Sequence, residues 1–292
     1  MPKKVLIYLI ILLLIVFSIG TILYCKLNSK CKCEIDCGCG NSCMCGVDCD
    51  NKCMKTKLTS TSSLSNKKIA FGLKREKDNK QPVIDAQAVR ILDKYKDIYI
   101  GNPNEKTVYL TFDQGYEAGY TSKILDTLKE NNVKAAFFIT GYYLNKETDL
   151  VKRMLEEGHI IGNHTVNHPS MPSIDEEKNK EEIQKLHTAV FEKTGYEMKY
   201  LRPPKGEFSE KTIAITKSLG YTTVMWSLAY DDWDENKQKG DEYAKDKILS
   251  NIHPGAVILL HATSRNNADV LDYCIKEIKN MGYEIKSLEE FK

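Results

Sequence analysis

The segment 109–121 reads YLTFDQGYEAGYT, an apolar, alternating run that ends on Asp113 and passes at once to the neutral amide of Gln114 and a glycine. Tyr, Leu, Thr and Phe suit a strand, and Gly115 marks its end. A carboxylate at a strand tip sits where α/β proteins place their chemistry, so the fold depends on whether sister strands end in the same way.

Strand-like runs recur at 108–113, 135–140, 159–163, 199–203, 222–226, 256–261 and 283–288. Amphipathic stretches of helix length lie between them, at about 120–131, 147–157, 175–194, 208–219, 241–252 and 268–281. This alternation predicts βαβ units around a parallel sheet. Polar motifs fall at the C-terminal strand ends, which share one face of a barrel, so the expected fold is α/β: a distorted (β/α) barrel of about seven parallel strands over 106–292. A helical pattern at 86–95 belongs to a lead-in segment, 67–105, expected to pack on its outside.

The polar groups are Asp113; His164 and His168 in NHTVNH; Arg202 and Lys205 in RPPKG; Asp232 in DDW; and His261 closing LLH. Two imidazoles four residues apart suit a divalent metal. Each group has a plainer reading alone: Asp113 as a helix cap, Arg202 as a surface ion pair, Asp232 as a loop carboxylate, His261 as a satisfied buried histidine. Gathered at sister strand ends, they read as a metal site. His159, His187 and His253 lack such company and are expected to be structural.

The remainder bounds the setting. With 42 basic and 40 acidic residues the net charge is +2, which argues against a nucleic-acid partner. Residues 5–24 carry no charge over a length that spans a bilayer, and predict a membrane anchor with the rest of the chain on the extracytoplasmic side; a cleaved signal is the alternative. Nine of the ten cysteines fall in 25–53, and a serine-, threonine- and lysine-rich linker follows to about residue 66. Such a segment cannot build an apolar core, leaving disulfides, thiolate metal binding or a flexible tether. The tenth, Cys274, reads as a small buried apolar residue.

The ordered set TFDQG, HTVNH, RPPKG, DDW and LLH resembles the polysaccharide deacetylase family with the NodB homology domain, over about 106–288. Within it, TFDQGYEAGYT, EEGHIIGNHTVNHP, YLRPPKGEFSE and LLHATSRNNADVLD resemble the branch that deacetylates N-acetylmuramic acid on the way to muramic δ-lactam in spore cortex. The resemblance implies Asp113 as general base, His164 and His168 as ligands of a divalent ion such as zinc, Arg202 as the residue holding the base, and Asp232 as the carboxylate tuning the acid His261. Gln114 stands where the family usually has a second aspartate as third ligand. The resembled branch is non-acidic there too, which implies an active enzyme with a weakly held metal.

Pro203 and Pro204 lack an N–H, so the first oxyanion donor after Arg202 is the amide of Lys205. Arg265, and after it Lys205, are expected to clamp the lactyl carboxylate, with Tyr116 and Trp233 also on substrate. The partner is then a peptidoglycan strand freed of its stem peptide by an N-acetylmuramoyl-L-alanine amidase, and the location a single-pass membrane protein around the forespore. The rival readings are an N-acetylglucosamine deacetylase of wall glycan or chitin, and a catalytically weakened glycan-binding scaffold.

Overall fold

A computed structural model describes residues 61–291. The lead-in segment forms three two-residue strands, β1 (Ile69–Ala70), β2 (Leu73–Lys74) and β3 (Val83–Ile84), and one helix, α1 (Ala86–Tyr95). Asp85 caps α1 by accepting from the amides of Gln87 and Ala88, and Lys96 ends it in the left-handed conformation. β2 and β3 form a small antiparallel hairpin.

β4 (Thr107–Gln114), second in the strand path, has all eight residues buried, as expected of a parallel strand covered on both faces. Along one edge runs β10 (Ala256–His261), in a register that sets His261 beside Asp113. The other edge is shared: β11 (Glu284–Lys286) takes its first half and β5 (Ala136–Ile139) its second. The sheet continues in parallel through β6 (Ile160–Asn163), β7 (Tyr200–Leu201) and β9 (Thr222–Thr223). Helices α2 (Thr121–Glu130), α3 (Gly141–Lys146), α4 (Thr148–Glu156), α5 (Glu176–Thr194), α6 (Glu210–Ser218), α7 (Asp241–Leu249) and α8 (Arg265–Asn280) connect the strands. β8 (Glu207–Phe208) pairs antiparallel with β1, and Ala88, Ile91 and Leu92 of α1 pack with Phe208 and Ile213 of this neighbourhood.

Side chains alternate across a strand, and the core divides accordingly. Val108, Leu110 and Phe112 join the large cluster beneath the helices, whereas Tyr109 packs with Phe138, Ile160 and Val257 on the inner face. Gly162 makes room there: a Cβ would lie 2.4 Å from the ring of Phe138.

The expected fold class needs two corrections. The sheet is not a closed barrel. It is an open path of strands whose ends meet only at an isolated parallel bridge, Leu228 to Ile258. β7 and β9 are also shorter than expected. Pro203 and Pro204 have no N–H for a ladder, and the carbonyls of Val224 and Met225 accept from the Arg202 guanidinium instead of from a strand. Secondly, no helix among the described residues is long and apolar enough to cross a membrane, so the single-pass placement is not supported. The apolar run 5–24 and the cysteine segment lie outside the described residues. Cys274 is buried in α8, and burial pushes its thiol up to about 12.

Candidate active site

Counting in twos from Tyr109 along β4 places Thr111 and Asp113 on the inner face, at the C-terminal end of the sheet. Arg202, 0% exposed, reaches them from the end of β7. Its Nη1 donates to Asp113 Oδ1 at 2.8 Å, Nη2 to Thr111 Oγ1 at 2.8 Å, and Nε to the Val224 carbonyl at 3.0 Å. The guanidinium lies 4.2 Å from the ring centroid of Phe138, so its face is covered as well as its edge satisfied. Burial alone would raise the Asp113 carboxyl. Arg202, by its charge and its hydrogen bond, is the chief opposing influence, and the group is held below its ordinary range, ionised at neutral pH.

His164 follows β6 directly and faces the same side. Its Nδ1 bonds the Arg202 carbonyl at 2.8 Å, which leaves the Nε2 lone pair toward Asp113 Oδ2, 3.4 Å away. His168 lies across from it, ring centroids 4.8 Å apart. Burial lowers both imidazoles, His168 to about 4, so both are neutral donors at pH 7. Thr165 and His168 adopt left-handed backbone, with φ of 65° and 56°. Such strain, about 1–3 kcal/mol per residue, persists where surrounding structure imposes it, often at functional sites. Two neutral imidazoles, one with its tautomer fixed, beside an ionised carboxylate fit a divalent cation. No set of three or more His, Cys, Asp or Glu residues able to hold one is found among the described residues.

His261, at the end of β10, is held by Asp232. Its Nδ1 pairs with Asp232 Oδ1 at 2.7 Å and its amide donates to Oδ2 at 2.8 Å. Asn267 adds a third restraint, donating to Asp232 Oδ2 at 2.6 Å and to the His261 carbonyl at 3.1 Å. Burial lowers the imidazole, but the Asp232 carboxylate more than offsets it, so His261 is raised above its ordinary value.

Asp113, His164, His168, His261 and Lys205 line one cavity of about 1140 Å³, together with Tyr116 and Trp233. Arg202 and Asp232 stand behind its wall as the partners of Asp113 and His261. Lys205 has a φ of 61°. Gly206, φ 66°, lets Trp226 close over it, since a Cβ would lie 2.6 Å from that indole.

Two expected residues are not in this lining. Gln114 is one position out of phase with Asp113 and faces the helices: its Nε2 donates to Thr121 Oγ1 at 3.0 Å and to Tyr143 OH at 3.3 Å. Both hydroxyls contact Oε2 of Glu117. Arg265 is an exposed residue opening α8, its Nε bonded to Asp269 at 3.2 Å.

Sequence reasoning did not single out Tyr142, Trp226 or Tyr230 in the wall, nor Asn267 behind it. Asn267 had a signal, lying six residues past His261 in the motif HATSRNN. Tyr142 had none, because the short α3 that carries it was not foreseen. His159, His187 and His253 bond to Ala135, Tyr221 and Ser227 and do not line the cavity.

The arrangement sets an ionised carboxylate and a protonatable imidazole on neighbouring strand ends, both lining one cavity, the pair of roles that amide hydrolysis demands. Comparison with known proteins bears on this geometry. The family described as polysaccharide deacetylase matches residues 100–224. The chain is 48% identical over 232 residues to an uncharacterized 30.6 kDa protein of Geobacillus stearothermophilus, across 79% of this chain and 88% of that one. It is 44% identical over 229 residues to the peptidoglycan-N-acetylmuramic acid deacetylase PdaA of Bacillus subtilis, across 78% and 87%. The solved structure of B. subtilis PdaA, described as a family 4 carbohydrate esterase, matches with a TM-score of 0.76 over 78% of this chain and 98% of that one.

Proposed function

Because this chain belongs to the polysaccharide deacetylase family, a family of hydrolytic deacetylases, we propose that it removes the acetyl group from N-acetylmuramic acid in peptidoglycan. The observation that carries this reading is the pair on adjacent strand ends, Asp113 ionised by Arg202 and His261 raised by Asp232, lining one cavity.

In the reaction, a water oxygen adds to the acetyl carbonyl carbon as its proton passes to Asp113 Oδ2, the oxygen that Arg202 leaves free. The amide N–H of Lys205 faces the developing oxyanion, a type of contact worth about 3 kcal/mol elsewhere. The C–N bond then breaks as His261 delivers its Nε2 proton to the departing nitrogen, releasing acetate and a free amine. Asp232 keeps Nδ1 protonated and the ring aimed. His164 and His168 would hold a divalent cation, zinc in this reading, whose Lewis acidity polarises the carbonyl.

Substrate choice follows from the lip of the cavity. Lys205 is its cation, with no ion-pair partner among the described residues, and is the group we assign to the lactyl carboxylate of a muramyl sugar. Arg265, already bonded to Asp269 and outside the lining, is a poorer candidate. A carboxylate free to meet Lys205 requires prior removal of the stem peptide by an amidase. The freed amine and that carboxylate share one sugar and can close to the δ-lactam of spore cortex.

The test is release of acetate from amidase-treated peptidoglycan, with and without chelator. Acetate lost to the chelator and restored by added zinc supports the reading. Release from chitin oligomers but not from muramyl glycans would replace it with the N-acetylglucosamine alternative. A second expectation concerns pH. The acid must be protonated, so kcat/KM falls on the alkaline side as pH passes the raised value of His261. Asp232→Asn removes the charge that raises it, and the alkaline limb moves to lower pH. A limb that stays in place would take His261 out of the acid role.

A further inference from the structure

The catalytic cavity has flanks, and they differ. Past Tyr116 and Tyr142 lies a shallow cleft of about 600 Å³ that carries charges of both signs, Glu117, Lys146 and Glu147. Past Trp226, Ala229 and Tyr230 lies another, of about 560 Å³, whose one charged lining residue among those described is Arg75. The second cleft shares its three back-wall residues with the catalytic cavity, so a chain of sugars leaving the cavity there passes directly beneath Arg75. Its outer wall, Leu73 and Arg75, comes from the β2–β3 hairpin and lies outside the residues matched by the family.

Arg75 is placed rather than loose. Its Nη2 donates to the Ala229 carbonyl at 2.7 Å, which fixes one arm of the guanidinium against the shared wall. No carboxylate pairs with it among the described residues, so its remaining N–H groups stay available. A guanidinium anchored by one arm presents the rest as a fork matched to a carboxylate. Beside it, Trp226 and Tyr230 offer aromatic surface of the kind that apolar sugar faces cover.

From this geometry we infer that Arg75, with Trp226 and Tyr230, forms a second anionic subsite, which binds the lactyl carboxylate of a muramyl unit other than the one being hydrolysed. The inference rests on the peptidoglycan reading above. The subsite makes the enzyme favour long, peptide-free strands, which carry carboxylates at intervals, over short ones, which fill only the cavity. Stem-peptide carboxylates share the chemistry but belong to strands that an amidase has not yet processed.

Titration calorimetry of the whole chain with peptide-free peptidoglycan oligosaccharides tests it independently of turnover. Arg75→Gln is expected to weaken binding of a hexasaccharide about five- to tenfold and to leave a disaccharide unchanged. A hexasaccharide whose carboxyls are reduced to alcohols should bind wild type and Arg75→Gln alike. Equal weakening on the reduced sugar, or none on the charged one, overturns the subsite. Weakening confined to strands with intact stem peptides overturns the lactyl assignment. Arg75 is exposed, so both variants should fold; Arg75→Lys keeps the charge without the fork and should fall between the two. Wild type that binds the hexasaccharide with this dependence yet releases no acetate would refute the deacetylase reading and leave the subsite standing.

Discussion

Arg202→Met is expected to cost about 3–5 kcal/mol of folding stability, measured by denaturant unfolding at neutral pH. The substitution keeps most of the volume packed against Phe138 but strands the Asp113 carboxylate, 7% exposed, without its cationic partner. Thr111, Val224 and Met225 also lose their donor. The sign of the pH dependence separates this account from simple misfit. In the wild type the folded Asp113 lies below its unfolded value, so the pair's contribution is complete above that value, about 3.9, and is lost only as acid takes the pH through the lowered one. With Arg202 gone, burial raises Asp113 instead, and the deficit shrinks as falling pH protonates it. Adding Asp113→Asn to Arg202→Met should therefore recover part of the loss at neutral pH. A deficit independent of pH and unrelieved by the second change would show that packing, not charge, is what Arg202 supplies.

Asp113→Asn alone is expected to lower kcat by about 10²–10⁴-fold, the range for loss of a general base. Its side-chain oxygen can still accept from Arg202 Nη1, while the amide that replaces Oδ2 cannot take a proton from water. Binding of a peptide-free oligosaccharide should change little, because Lys205, Tyr116 and Trp233 remain on the cavity. Calorimetry alongside turnover separates the two. A variant that keeps more than about a tenth of the wild-type kcat would move the base elsewhere.

Much of the architecture was legible in the chain. β4, β10 and the helices α1 and α5 lie within a residue or two of their expected bounds, because their apolar spacing is long and regular. The illegible parts have local causes. α3 spans six residues, too few to establish a helical period, and depends on Thr140 accepting from the amide of Tyr143. β9 ends early because the arginine buried beside it takes the carbonyls a ladder would need. The continuous barrel fails at the same place, where the chain from Val224 to Leu228 reaches β10 at a single bridge.

Gln114 shows where the boundary lies. The alternation of β4 alone sets Asp113 inward with Tyr109 and sets Gln114 outward with Phe112, since neighbours on a strand face opposite sides. Written in the chain, therefore, were the order of the motifs, the strand ends that carry them and the face each strand residue takes, all consequences of backbone periods that need no distant partner. Left to the folded chain was which polar groups meet. Arg202 reaches Asp113 from 89 positions away, Asn267 reaches Asp232 from 35, and Arg75 comes to the wall of Ala229 across 154. Those meetings depend on strand register, on a loop strained at His168 and Lys205, and on how a hairpin lies against the sheet, and a local repeat encodes none of them.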